Sequence, residues 1–197
     1  MAKTPNSNNK LKITTAAGQL FNKFGFRKVS VEEICQTAGL SKMTFYKHFK
    51  NKNELIKYIW QTLIDESWAK LDALEENNTS FREKIQAILK IKAESTSSFS
   101  DQYIKDYLNM APELQNFYNQ IFTETMRRFA IIIQRAQEKG ELRKSLRPEF
   151  FLAVVNQFLE LAKNEQLAKL YPNYSDFAIE INNYLYYGMM PVPANGK

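Results

Sequence analysis

The chain has 197 residues, 44% of them hydrophobic and 24% charged, with six glycines, six prolines and one cysteine. These are globular proportions, enough for one or two domains, and they exclude collagen-like, low-complexity and wholly disordered chains. The net charge of +6 is uneven: residues 1–53 hold ten Lys/Arg against only Glu32 and Glu33, a net of +8, while the rest holds 17 bases and 19 acids, a net of −2. A basic quarter of this kind either attracts a polyanion, nucleic acid or an anionic membrane, or is simply a solvated face.

Helical signals run through the chain and strand alternation is scarce, which predicts an all-α fold of about nine helices. Residues 1–9 read as a disordered arm without the apolar stretch of a signal peptide. Leu11, Ile13, Ala16, Ala17, Leu20, Phe21 and Phe24 form a helical stripe that Gly25 stops. Ser30-Val31-Glu32-Glu33 has capping-box form and predicts a short helix over 31–37, with Gly39 as a left-handed stop. Ser41 caps a second short helix over 42–49. A long helix then runs from Asn51 to about Leu74 and breaks at Asn77-Asn78-Thr79. Ser80-Phe81-Arg82-Glu83 opens the next with another capping box, and Ser95–Ser98 close it. Further helices are expected over 101–109, from Pro112 to Gly140, over 148–168, and from Ser175-Asp176 to Gly188. The organisation read from this is a basic segment of short helices at 10–53, a helical bundle at 54–190 and a tail at 191–197.

No uncharged apolar run is long enough to span a membrane. The single cysteine, Cys35, precludes an intrachain disulfide and fits a reducing compartment, so a cytoplasmic location is expected. Cys35 beside Ile34 reads as a small core residue. The one histidine, His48, has no ligand partners at metal spacing, so neither metal nor cofactor is expected.

Two short helices joined by Gln36-Thr37-Ala38-Gly39-Leu40-Ser41 suggest a helix-turn-helix, in which one helix braces and the next enters the major groove of DNA. The longer ordered set is more particular. Ile13–Phe21 and Gly25-Phe26 are followed by Val29-Ser30-Val31-Glu32-Glu33-Ile34. Then come Ala38-Gly39-Leu40-Ser41 and Thr44-Phe45-Tyr46-Lys47-His48-Phe49-Lys50-Asn51-Lys52-Asn53-Glu54-Leu55. This stretch of about 48 residues resembles the DNA-binding domain of the TetR family of transcriptional regulators. One departure is Met43, or its neighbour Lys42, where many members carry a small residue.

Phe45 and Phe49 share a helical face and should pack inward. Lys42, Met43, Thr44, Tyr46 and Lys47 are left for the outside. Thr44 suits a base edge or a thymine methyl, or is a neutral surface residue. Tyr46 suits a phosphate or a thymine methyl, or is a half-buried aromatic; Lys47 suits a phosphate or a guanine. The resemblance implies a phosphate contact for His48; otherwise it is a polar helix residue. Lys52 is expected near a phosphate. Ser30 and Ser41 act first as caps and then as phosphate donors, and Thr37 is left ambiguous.

The bundle is rich in aromatic residues and methionine. Most of these are expected in the core, and the resemblance implies a cavity for a small apolar or aromatic effector. Its candidate lining is Trp60, Leu63, Ile64, Trp68, Ile88, Tyr103, Tyr107, Met110, Phe117, Phe122 and Met126. Two late helices carry surplus apolar flanks. They offer Phe151, Val155, Phe158, Leu159, Ala162, Phe177, Ile181, Tyr184 and Leu185 either to the chain's own core or to a homodimer interface. The resulting expectation is a homodimeric repressor that reads a pseudopalindromic double-stranded operator and is released by its effector. The alternatives are an activator or a co-regulator of the same fold. An enzyme lacks its nucleophile and acid/base set here.

Overall fold

The computed structural model describes residues 5–77, 79–96, 99–162, 164–173, 176–177, 180–181 and 184. Nine α-helices lie among the described residues: α1 Pro5–Phe24, α2 Val31–Ala38, α3 Lys42–Tyr46, α4 Lys52–Glu76, α5 Phe81–Thr96, α6 Asp101–Leu108, α7 Pro112–Glu138, α8 Pro148–Ala162 and α9 Glu165–Ala168. None is long and apolar enough to cross a membrane. The fold is all-α, as the periodicity requires.

Several ends follow the expected chemistry. Ser80 and Glu83 cap α5 reciprocally, with Ser80 N donating to Glu83 Oε2 at 2.8 Å and Glu83 N to Ser80 Oγ at 3.3 Å. Asn51 Oδ1 accepts from Glu54 N at the start of α4. Gly25, Gly39 and Gly140 all stop helices at positive φ, where a Cβ is disfavoured.

Other ends differ. The first helix begins at Pro5, so residues 5–9 are helical and not an arm; Pro suits a first helical position, but the apolar stripe that betrays the helix starts only at Leu11. The short helix expected over 42–49 closes at Tyr46, because His48 N and Phe49 N both donate to Phe45 O and draw the chain into a turn. The helix expected over 148–168 is two. Asn164 Oδ1 accepts from Gln166 N and Leu167 N, a side-chain cap that restarts the helix as α9. Of the last expected helix, Asp176, Phe177, Glu180, Ile181 and Tyr184 are described and helical. The cap at Asp176 N is Asn173 Oδ1, at 2.9 Å. Ser175, Leu185 and the tail 191–197 lie outside the described residues.

The chain divides into two compact units, one of residues 1–66 with 98–118 and one of 67–97 with 119–197. In the first, Ile13, Ala17 and Phe21 of α1, Ile34 of α2, Phe45 of α3, and Leu55 and Ile56 of α4 are buried. Phe26, after the α1 stop, meets Trp60 and Tyr103 edge-on at 5.9 and 5.6 Å, and Trp60 Nε1 donates to Tyr103 Oη at 3.2 Å. In the second unit the core is Phe81, Ile85, Ile133, Ala136, Leu142, Leu146 and Phe151, with Ile88, Phe129 and Ile132 packed against it. Several polar groups there are paired. Lys84, nearly buried, bridges to Glu75, which also takes Arg135 at 3.3 Å, and Arg128 lies over the Trp68 ring at 4.0 Å while bonding both oxygens of Asp72.

Candidate nucleic-acid interface

The interface starts from three side-chain caps and a glycine. Ser30 Oγ accepts from Glu33 N at 3.2 Å, and Glu33 Oε2 accepts from Ser30 N at 2.7 Å, so α2 starts with a closed capping box. Donation to that carboxylate from Ser30 N, and then from Ser30 Oγ, holds it below its ordinary pKa. At the far end Gly39, at φ 65°, lets Leu40 N return to Cys35 O at 2.9 Å. Ser41 Oγ then accepts from Thr44 N at 3.1 Å and starts α3. The chain turns between α2 and α3 within three residues, the spacing of a helix-turn-helix.

Ser30→Ala is expected to cost about 0.5–2 kcal/mol of stability, measured by thermal or urea melting. The Glu33 contribution has a sign. A carboxyl whose folded pKa is depressed stabilises above its unfolded pKa and loses that contribution as pH falls through the folded value. The wild type should therefore lose stability relative to Glu33→Gln, which cannot titrate, as pH falls below the ordinary Glu range, and equal acid profiles would refute the box.

α3 is seated by its inner face. Phe45 is fully buried and Phe49 is 5% exposed, with ring centroids 5.8 Å apart. Phe49 packs on Tyr58 of α4 at 5.6 Å, and Lys10 of α1 lies over the Tyr58 ring at 3.6 Å. The outer face is left open. Met43 is 70% and Tyr46 55% exposed, and Lys42, Lys47, Ser41 and Thr37 are exposed beside them. Thr44, His48 and Ser30 are half-buried. Thr44 Oγ1 and Ser41 Oγ lie 3.0 Å apart, so each hydroxyl already has a partner. Lys42 is ion-paired with Glu32 of α2.

Lys52 has internal work. Its Nζ donates to Arg27 O at 3.0 Å and to Val29 O at 2.7 Å, bracing the loop before α2. Burial lowers its pKa, and the charges of Asp106 and Glu33 partly offset that. The sequence placed Lys52 at a phosphate; the two carbonyls occupy most of its donors instead.

The same loop is held from α6. Asp106 is 2% exposed; its Oδ2 accepts from Arg27 N at 2.7 Å and its Oδ1 from Gln102 Nε2 at 2.8 Å. A Cβ on Gly25 would lie 2.5 Å from Asp106 Oδ2. Ser100 N donates to Asn22 O at 2.9 Å, a second tie between α6 and α1. Sequence reading missed Asp106, although an acid three residues after Tyr103 on one helical face was the available signal. It missed Glu32 as well, because a partner ten residues away across a turn leaves no local pattern.

A cavity of about 280 Å³ in this unit is lined by Phe26, Arg27, Lys52, Asn53, Ile56, Asn109, Ala111 and Leu114. None of the eleven expected effector-lining residues is among them. Trp60, Leu63, Ile64, Tyr103, Tyr107, Met110 and Phe117 fall in the first unit, and Trp68, Ile88, Phe122 and Met126 in the second. Trp60, Trp68 and Tyr103 are buried, Leu63 is 46% exposed, and the rest are half-buried. Of the residues offered to a dimer interface, Phe151 stacks on Phe129 at 5.5 Å and Phe177 packs on Tyr171 at 5.3 Å. Both are buried within the chain and have little surface to give a partner. Tyr184 is 70% exposed and Ile181 half-buried. The side chains of Val155, Phe158, Leu159 and Ala162 lie outside the described residues.

A short braced helix presenting cations and aromatic surface from a basic segment has the form of a helix-turn-helix. Residues 13–59 match the family model of bacterial regulatory proteins, tetR family. The match runs from within α1 to within α4 and takes in the helix-turn-helix. It is 34% identical over 77 residues to the uncharacterized HTH-type transcriptional regulator YhgD of Bacillus subtilis, covering 39% of this chain and 40% of that protein. A TetR-family regulator from Rhodococcus sp. shares the fold with a TM-score of 0.71 at 19% identity, covering 94% of this chain and all of the other. The regulator FadR from Bacillus subtilis, in complex with stearoyl-CoA, has a TM-score of 0.63 at 15% identity, covering 91% of this chain and 98% of FadR.

Proposed function

We propose that the chain is a dimeric repressor that reads a pseudopalindromic operator through α3 and releases it on binding an apolar or aromatic effector. The observation that carries the DNA half of this reading is the outer face of α3, where Lys42, Met43, Tyr46 and Lys47 are exposed on a helix seated by Phe45 and Phe49. Tyr46 and Lys47 contact DNA directly, His48 reaches a phosphate from the half-buried turn after α3, and Ser30, Thr37, Ser41 and Thr44 support the backbone approach. Two copies, one per half-site, follow from the symmetry of such operators.

The effector half is supported by the tie between α6 and the DNA-binding loop. Asp106 holds the backbone of Arg27, and α4 carries Trp60 against Tyr103. An effector that prefers one placement of α6 would shift the recognition domains and weaken the grip, by no more than its own differential affinity for the two states. The stearoyl-CoA complex of FadR supports an effector with an apolar body.

Lys47→Ala is expected to weaken operator binding by about 1–3 kcal/mol if Lys47 meets a guanine. If it meets a phosphate, it should weaken all sequences alike and lower the salt slope by about one. Fluorescence anisotropy across a salt series separates the two, and unchanged affinity and slope would remove Lys47 from the interface.

A further inference from the structure

We infer that Glu32 and Lys42 together read one G·C base pair, and that Met43 and Tyr46 read thymine methyl groups beside it. This rests on the DNA-binding role of α3 proposed above and names the half-site it takes. Residues 1–53 contain two acids. Glu33 is consumed by the capping box, its Oε2 accepting from both Ser30 N and Ser30 Oγ at 2.7 Å. Glu32 reaches across the turn to Lys42 at the start of α3, and the two side chains remain 60% and 53% exposed. An exposed pair of this kind adds little to stability. A carboxylate on a face approaching phosphates is a liability unless it has a donor to meet there.

The chemistry of the pair fits one base-pair edge. In the major groove, guanine presents the acceptors N7 and O6, and its cytosine presents the N4 amine as a donor beside them. An ammonium touching a carboxylate is the complement: Lys42 donates to the guanine acceptors while Glu32 accepts from cytosine N4. An A·T pair interposes the adenine amine between its acceptors, which leaves the ammonium facing a donor. The neighbouring positions are apolar. Met43 and Tyr46 lie one helical turn apart on the same face, 70% and 55% exposed, and thymine carries the only methyl group in the groove. The Thr44 hydroxyl, already paired with Ser41 Oγ, is not needed for base reading.

The test is selection from a random duplex library with the full-length wild type, Glu32→Gln and Met43→Ala. Both substitutions are on exposed side chains, and melting curves check that each variant folds. The wild type should enrich half-sites with one fixed G·C pair next to thymine. Glu32→Gln should relax that pair alone, by about tenfold or more. Replacing the adjacent thymine by uracil, which removes only the methyl, should weaken the wild type several-fold and weaken Met43→Ala, which keeps only Tyr46 against the methyl, by less. Half-sites with A·T at every position, or an unchanged base preference in Glu32→Gln, would overturn the inference while leaving DNA binding intact. A uniform rise in affinity for all sequences would also overturn it, reducing Glu32 to a general charge effect. No enrichment by the wild type would sink the DNA-binding reading, and the inference with it.

Discussion

Phe45→Ala and Tyr46→Ala, one residue apart, should both lose operator binding for opposite reasons. Phe45 is fully buried, its ring within 6 Å of Phe49, and it is the buried side chain of a five-residue helix. A helix that short has no independent stability and persists only through packing. Removing a buried phenylalanine costs about 3–5 kcal/mol, a large share of the roughly 5–15 kcal/mol that holds a domain. The variant should melt earlier and bind DNA weakly, with recovery on cooling. Tyr46 meets Phe45 edge-on at 5.3 Å but is 55% exposed. Its loss should cost less than about 1 kcal/mol in stability and about 1–3 kcal/mol in operator affinity. Paired melting and anisotropy measurements distinguish seating from reading. Equal destabilisation by both, or full affinity in Tyr46→Ala, would contradict the orientation of α3.

Gly25→Ala is the second large effect, and Gly140→Ala is its control. Both glycines sit at nearly the same backbone angle, φ 79° and 77°. Moving an alanine to positive φ costs about 1–2 kcal/mol at either site. At Gly140 nothing lies within 4 Å of the new Cβ. At Gly25 the Cβ would be 2.5 Å from Asp106 Oδ2 and 2.7 Å from Gln102 Cγ. Asp106 must then move and its bond to Arg27 N must lengthen, leaving a buried carboxylate poorly paired at a further cost of about 1–3 kcal/mol. Gly25→Ala should therefore destabilise by roughly twice as much as Gly140→Ala and disturb the loop that carries α2. If the two melt alike, the close approach of α6 to the α1 stop is wrong.

Much of the recognition domain was legible in the sequence because its signals are local. Ser30 with Glu33, Ser41 ahead of α3 and Gly39 at φ 65° are each determined within four residues. The inward pair Phe45 and Phe49 follows from helical spacing alone. Illegible features were those set by tertiary partners. Lys52 could be read as a free cation until Arg27 O and Val29 O came within 3.0 Å of it. Asp106 could be read as a surface acid until the Gly25 turn folded onto it. The start of α1 at Pro5 was hidden because polar residues carry no periodicity, and the break between α8 and α9 because Asn164 sits inside an otherwise helical run.

The central claim is that the outer face of α3 selects particular DNA. The most direct measurement is recovery of fragments from sheared genomic DNA of the source organism at about 0.15 M salt, with wild type and Tyr46→Ala side by side, followed by sequencing. The account predicts a few palindromic sites enriched by the wild type and lost by the variant. Uniform recovery by both would leave only charge attraction between a basic segment and any DNA, and would contradict it.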